Sequence, residues 1–318
     1  MASHRFPLML RKRKTPPDHP AFAGLPVTIV TLEDGAAQAA VHVAGALSSH
    51  TVPIICVAGY QRNMSDFTDF AGYFQRAMGS DCPIVLIDLQ GRGRSTDRRE
   101  AAQYGSPRDA RDIINVAAAL GIESAVLLGQ GYGGQVIMAL AAQRQGLIAG
   151  AILLDAGPVT DSRGIVRLRN NLRHVESLRG VKAVTAGFRR MLIGDYPGAS
   201  ESQIAALMLR SHYLDKRGRA WPLHDRRLTD ALDAFSHDDV LMAQWPLFDA
   251  LAHKPLLLLR TQLTDQVRRD TFEEMTKRRP DAAALTIQGQ GSPALFDQLD
   301  EVQAVAGFVR QIMARRPK

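Results

Sequence analysis

Leu127-Leu128-Gly129-Gln130-Gly131-Tyr132-Gly133-Gly134-Gln135 is the stretch on which the reading of this chain turns. The apolar residues 125–128 predict a short buried strand, and residues 132–142 predict a helix. The glycines between them make a tight strand-to-helix turn, and two mechanisms need one. In the first, Gly129, Gly131 and Gly134 satisfy G-x-G-x-x-G, which cradles a dinucleotide pyrophosphate at a helix N-terminus. Asp155, at the end of the following strand, would then be the ribose partner. The second is the strained turn G-x-S-x-G, which lifts a nucleophile above a sheet. Here the frame is complete except that Gly131 stands where the serine would be.

Outward from this turn the pattern is regular. Residues 26–32 and 39–44 read as strands joined through Asp34-Gly35, a hairpin signal. Buried strands are expected at 54–58, 84–88 and 151–154, with helices at 67–78 and 107–120 between them. Strands alternating with helices predict parallel βαβ units in a doubly wound α/β sheet. The alternation stops over 158–246, an Arg-rich stretch with helical segments and no buried-strand run. It resumes with a strand at 255–260, a helix at 267–278, a strand at 283–287 and a helix at 297–314. The expected organisation is a basic tail at 1–20, a core at 21–157, a helical cap at 158–246 and the rest of the core at 247–318.

Composition excludes several classes. Of 318 residues, 46% are hydrophobic and 22% charged, which is a globular and not a disordered composition. No apolar run is long enough to span a membrane. The N-terminal residues lack a long apolar segment, so a cytoplasmic protein is expected. Cys56 and Cys82 lie beside strand-like runs and are expected as buried free thiols. The net charge of +7 gathers at Arg11-Lys12-Arg13-Lys14 and over 161–190. Neither stretch interleaves aromatics with its charges, so solvated faces are expected and nucleic-acid binding is not. No metal-ligand spacing is present, and no cofactor is expected.

Beyond residue 50 the chain resembles the α/β-hydrolase family, in its cap-bearing esterase, enol-lactonase and haloperoxidase-like branch. Val57-Ala58-Gly59-Tyr60-Gln61-Arg62-Asn63-Met64 is similar to the loop that supplies an oxyanion-hole amide. Asp88-Leu89-Gln90-Gly91-Arg92-Gly93-Arg94-Ser95 is similar to the D-x-R-G-x-G-x-S turn, and Gly129–Gly134 to the elbow. Trp245–Phe248 and Lys254–Arg260 resemble the return from the cap. The resemblance implies amide donors at Tyr60 and Tyr132, and an acid at Asp265 or, one strand earlier, Asp155. It also implies a nucleophile at 131 and a histidine at 292, in a G-x-G-H turn. These two positions hold Gly131 and Ser292, and no histidine follows His253. Glycine cannot form an acyl-enzyme, and serine cannot replace imidazole as a base.

The expected protein is therefore a pseudo-hydrolase holding a small apolar or carbonyl-bearing ligand. Alternatives are an active enzyme of the same fold with other chemistry, a dinucleotide-binding protein, and a scaffold using the basic 161–190 face. His174, His212, His224 and His237 fall in the cap stretch and could overhang the pocket.

Overall fold

The computed structural model describes residues 15–16, 18–33, 35–79 and 82–315. The Arg11–Lys14 cluster and Asp34 of the hairpin turn lie outside the described residues. Eight strands form the main sheet: β1 (Thr28–Thr31), β2 (Gln38–Ala44), β3 (Ile54–Val57), β4 (Ile84–Asp88), β5 (Ala125–Gln130), β6 (Ile148–Leu154), β9 (Leu256–Thr261) and β10 (Ala283–Ile287). Their spatial order is β1-β2-β4-β3-β5-β6-β9-β10. Only the β1–β2 and β2–β4 pairs are antiparallel. All other neighbours run parallel, as the strand–helix alternation requires.

The strands read as apolar runs because both faces of the sheet are covered. Ile55, Val57, Leu127 and Leu153 point into one hydrophobic layer, and Ile54, Cys56, Leu128 and Ile152 into the other. Helices α2 (Ser106–Ala119) and α3 (Tyr132–Gln143) complete the first layer. Helices α1 (Thr68–Met78) and α10 (Leu299–Ala314) pack together over the second. Cys56 and Cys82 are both buried.

Between β6 and β9 the chain leaves the sheet. It forms α4 (Ser162–Ser177), α5 (Val181–Leu192), α6 (Glu201–Leu209), α7 (Arg226–Asp230) and α8 (Trp245–Asp249). This insertion also holds a small antiparallel hairpin, β7 (His212–Leu214) with β8 (Ala220–Pro222). The sequence pattern gave no sign of it, because three-residue strands are too short for a period to register. A separate core of Val175, Val184, Phe188, Met208 and Ala220 holds the insertion together. Its basic face is largely neutralised: Arg163 pairs with Asp161, Arg173 with Asp233, and Arg189 with Glu201. The end of the expected tail is also held, since His19 and Phe22 are buried and Thr15 donates to the Gly93 carbonyl at 2.6 Å. Helix α9 (Arg269–Arg278) follows β9.

The turn between β5 and α3 is compressed. A Cβ on Gly133 would lie 2.1 Å from the Val57 carbonyl oxygen, and one on Gly134 2.3 Å from Ala156 Cβ. A Cβ on Gly129 would lie 2.5 Å from the Gly133 backbone. Gly133→Ala should therefore lower stability by about 3 kcal/mol or more, because backbone has to move. Gly72, inside α1, has open space around it, so Gly72→Ala should add up to ~1 kcal/mol. Urea unfolding of the two variants checks both signs.

Candidate active site

Gly131 sits at the tip of the turn with φ 54° and ψ −118°, immediately before the first residue of α3. Its amide donates to the Leu154 carbonyl at 2.8 Å, and its carbonyl accepts from Gly134 at 3.0 Å. This backbone strains any residue with a side chain and costs glycine little. The space above it is open: a Cβ there would meet only Gln266 Oε1, at 3.7 Å. The turn therefore keeps the shape that would present a nucleophile, and presents a hydrogen atom.

Three preceding elements fix the floor around it. Asp88, at the end of β4, accepts from the amides of Met64 and Arg94, both at 2.8 Å. Gly93 passes so close that a Cβ would lie 2.1 Å from the Asp88 carboxylate. Ser95 closes the same turn, donating to the Asp88 carbonyl at 2.5 Å and accepting from Ala40 at 2.8 Å. Asp88, Gly93 and Ser95 thus build the floor and do not reach the pocket.

Arg92, between those turn residues, is fully buried. It donates to the Tyr60 carbonyl at 2.8 Å and the Gln90 carbonyl at 2.7 Å. Its guanidinium also meets Asp109 at 3.2 Å and lies about 5.5 Å from the rings of Tyr60, Tyr104 and Tyr132. Tyr132 donates its hydroxyl to Asp109 at 2.8 Å. Arg92 therefore ties the loop after β3 to the first residue of α3, the two segments expected to supply amide donors. Neither the Tyr60 nor the Tyr132 amide donates to another protein group among the described residues. Burial raises the pKa of both phenols, so neither serves as a base near neutral pH.

The predicted acid and histidine positions do not meet each other. Asp265 lies after β9 and accepts from Arg167 of α4 at 2.6 Å. Arg167 also reaches Asp195 at 3.4 Å, so these three charges form a triad at the pocket mouth. Asp155 is the carboxylate whose pKa Ser292 lowers. Asp155 holds a left-handed backbone, φ 48°, at the end of β6. Its carboxylate accepts from Thr261 N at 2.7 Å and Thr261 Oγ1 at 2.8 Å, and the nearby Ser292 hydroxyl pulls its pKa down slightly. Burial raises this carboxyl to about 6, against the pull of Thr261, Arg260 and Ser292. A fully buried Asp155 also cannot take a nucleotide ribose, which removes that partner from the G-x-G-x-x-G reading.

These residues surround a cavity of about 140 Å³. Tyr60, Gln130, Gly131, Gln266 and Ser292 line it from the sheet side. Leu168, Leu172, Phe188 and Met191 form an apolar wall from the insertion. Of the four histidines in the insertion, His212 and His224 line the cavity and His174 and His237 do not. A charged recess opens beside it and shares Arg167, Asp195 and Asp265. Gln130, Gln266 and the pairing of Arg92 with Asp109 had no sequence signal beyond being polar residues in or near apolar runs. Among the described residues no group of three His, Cys, Asp or Glu side chains could hold a metal. No helix among them is long and apolar enough to cross a membrane.

A family model described as the alpha/beta hydrolase family matches residues 54–306. The 3-hydroxybutyrate-oligomer hydrolase of Cupriavidus necator is 25% identical over 254 residues, covering 76% of this chain and 83% of that protein. An alpha/beta hydrolase structure from Novosphingobium aromaticivorans superposes with a TM-score of 0.77 at 25% identity, over 90% of this chain and 98% of that one. E-2-(acetamidomethylene)succinate hydrolase shares the fold with a TM-score of 0.70 at 17% identity, over 90% of this chain and all (100%) of that one.

Two predictions concern the buried charges. Removing Arg92 (Arg92→Leu) leaves Asp109 undercompensated and should lower stability by about 3–5 kcal/mol in a denaturant titration. Asp155 keeps its proton to higher pH when folded than its ordinary value of 3.8 allows. Its contribution to stability is therefore full below that value and falls as pH rises through about 6. The fall should amount to about 3 kcal/mol and vanish in Asp155→Asn, measured by unfolding between about pH 4 and pH 7.

Proposed function

The chain belongs to the alpha/beta hydrolase family, and on that premise we propose that it binds a small carbonyl-bearing ligand without forming an acyl-enzyme. The observation that carries this reading is Gly131. It occupies the tip of an intact elbow, with room above it and nothing to attack with. Ser292, close enough to Asp155 to lower its pKa, stands where the resemblance places the base, and no histidine occurs after His253. The amides of Tyr60 and Tyr132 stay unoccupied by protein, at the positive end of α3, and suit a ligand carbonyl oxygen. The helical insertion acts as the cap, and its apolar wall takes the ligand's carbon chain. The relative that acts on 3-hydroxybutyrate oligomers points to short acyl esters or acids as the ligand class. The buried thiols Cys56 and Cys82 suit a cytoplasmic location.

A second reading, residual hydrolysis, draws on Ser292, which lines the cavity and lowers the pKa of a buried carboxylate. The two readings separate in an assay with short p-nitrophenyl esters. The unmodified protein should show no turnover above buffer. Turnover that disappears in Ser292→Ala would favour the second reading.

The double variant Gly131→Ser with Ser292→His should gain esterase activity, with the added serine costing about 1–2 kcal/mol of stability through its strained backbone. The gain should be lost on Asp155→Asn and survive Asp265→Asn if Asp155, whose pKa Ser292 lowers, is the acid for position 292, while Asp265 pairs with Arg167. The reverse dependence would return the acid role to Asp265.

A further inference from the structure

Three buried polar side chains around the cavity carry atoms with no hydrogen-bond partner: Gln61 Oε1, both amide atoms of Gln130, and His212 Nε2. None of the three residues is more than 4% exposed. A buried polar atom without a partner is costly, and native interiors hold few of them. Three such residues line one cavity, and polar groups of a ligand there suit them.

The neighbours of His212 assign its protons. Its Nδ1 lies 3.0 Å from Ser211 Oγ. The Ser211 hydroxyl donates its single proton to the Met208 carbonyl, at 3.0 Å. Ser211 therefore accepts from His212, Nδ1 carries the hydrogen, and Nε2 keeps a lone pair. Gln61 gives its amide nitrogen to Thr229 Oγ1 at 3.1 Å, which leaves Oε1 as a second unfilled acceptor. An ester, ketone or carboxylate cannot satisfy either atom, because neither group donates. A hydroxyl can. The cavity volume of about 140 Å³ compares with the roughly 150 Å³ cavity that takes up benzene, so the ligand is small. The apolar wall at Leu168, Leu172, Phe188 and Met191 suits a short carbon chain.

We propose that the cavity selects a short-chain hydroxyacyl compound, its hydroxyl donating to His212 Nε2 and its carbonyl facing the floor at Tyr60 and Gly131. This rests on the carbonyl-binding reading above and adds the hydroxyl to it. His212 serves as a binding residue and performs no proton transfer. The groups around it are Ser211, Phe188, His224, Arg62 and Arg226, with His19 against its backbone. Burial, reinforced by Arg62 and Arg226, lowers its pKa to about 3, so the acceptor persists in weak acid.

The test is calorimetric titration of the full chain with methyl 3-hydroxybutyrate and with methyl butyrate, which lacks the hydroxyl. The hydroxylated ester should bind about tenfold more tightly. His212→Leu should reduce that ratio to within about twofold. Should that variant fail to fold, the unmodified protein still decides. Its preference should be the same at about pH 5.5 and about pH 8, whereas a histidine of ordinary pKa would lose its lone pair over that range. A preference lost at the lower pH overturns the inference. Equal affinity for the two esters overturns the hydroxyl assignment and leaves the carbonyl-binding reading standing. Failure of both esters to bind overturns that reading as well.

Discussion

The first turn of α3 is pressed onto the end of β3, with Gly133 so near the Val57 carbonyl that no Cβ fits between them. Much of the site follows from this contact. It brings the loop after β3 beside the helix N-terminus, and so sets Tyr60 next to Tyr132, with ring centroids 5.2 Å apart. It forces the chain between strand and helix to swing out through a left-handed residue, which is Gly131. It also demands glycine at 129 and 134, where neighbouring backbone and Ala156 leave no room. None of these requirements depends on a nucleophile being present. A turn of this shape holds its geometry whether or not a nucleophile is present, and glycine at 131 avoids strain that serine would carry.

The polar network beneath the turn has a related logic. Arg92 is a buried cation held by Asp109, two carbonyls and three aromatic rings. These acceptors and π-faces stabilise the buried charge, although its Nη2 has no hydrogen-bond partner. In return it clamps the Tyr60 carbonyl, which fixes the plane of the peptide that follows. Elsewhere around the cavity, Thr261 holds Asp155 and Arg167 pairs with Asp265. The pocket is thus rigid on its floor and carries ionised pairs at its mouth.

Much of this was legible in the sequence because the signals were local. The leucine run at Leu256–Leu259 and the runs at 54–58, 84–88 and 125–128 read as strands buried on two faces, and the sheet has them so. The glycine spacing around Gly131 gave the turn. The resemblance pointed to both Asp265 and Asp155 as acids, and the fold gives the two different partners. Those partners, Arg167 and Thr261, are distant in sequence and meet them only in the folded chain. The β7–β8 hairpin was illegible for a related reason: three-residue strands have no period, and pairing and position decide them. Among the histidines, only placement picks out His212, whose role depends on the proton that Ser211 directs elsewhere.

The claim that the site lacks a working nucleophile is tested most directly by intact-protein mass spectrometry after exposure to an alkyl fluorophosphonate, which marks activated serines. The unmodified chain should carry no adduct, while the Gly131→Ser, Ser292→His double variant should gain one, mapped to position 131. An adduct on the unmodified chain, above all on Ser292, would contradict the reading of this protein as a binding site built on an idle hydrolase turn.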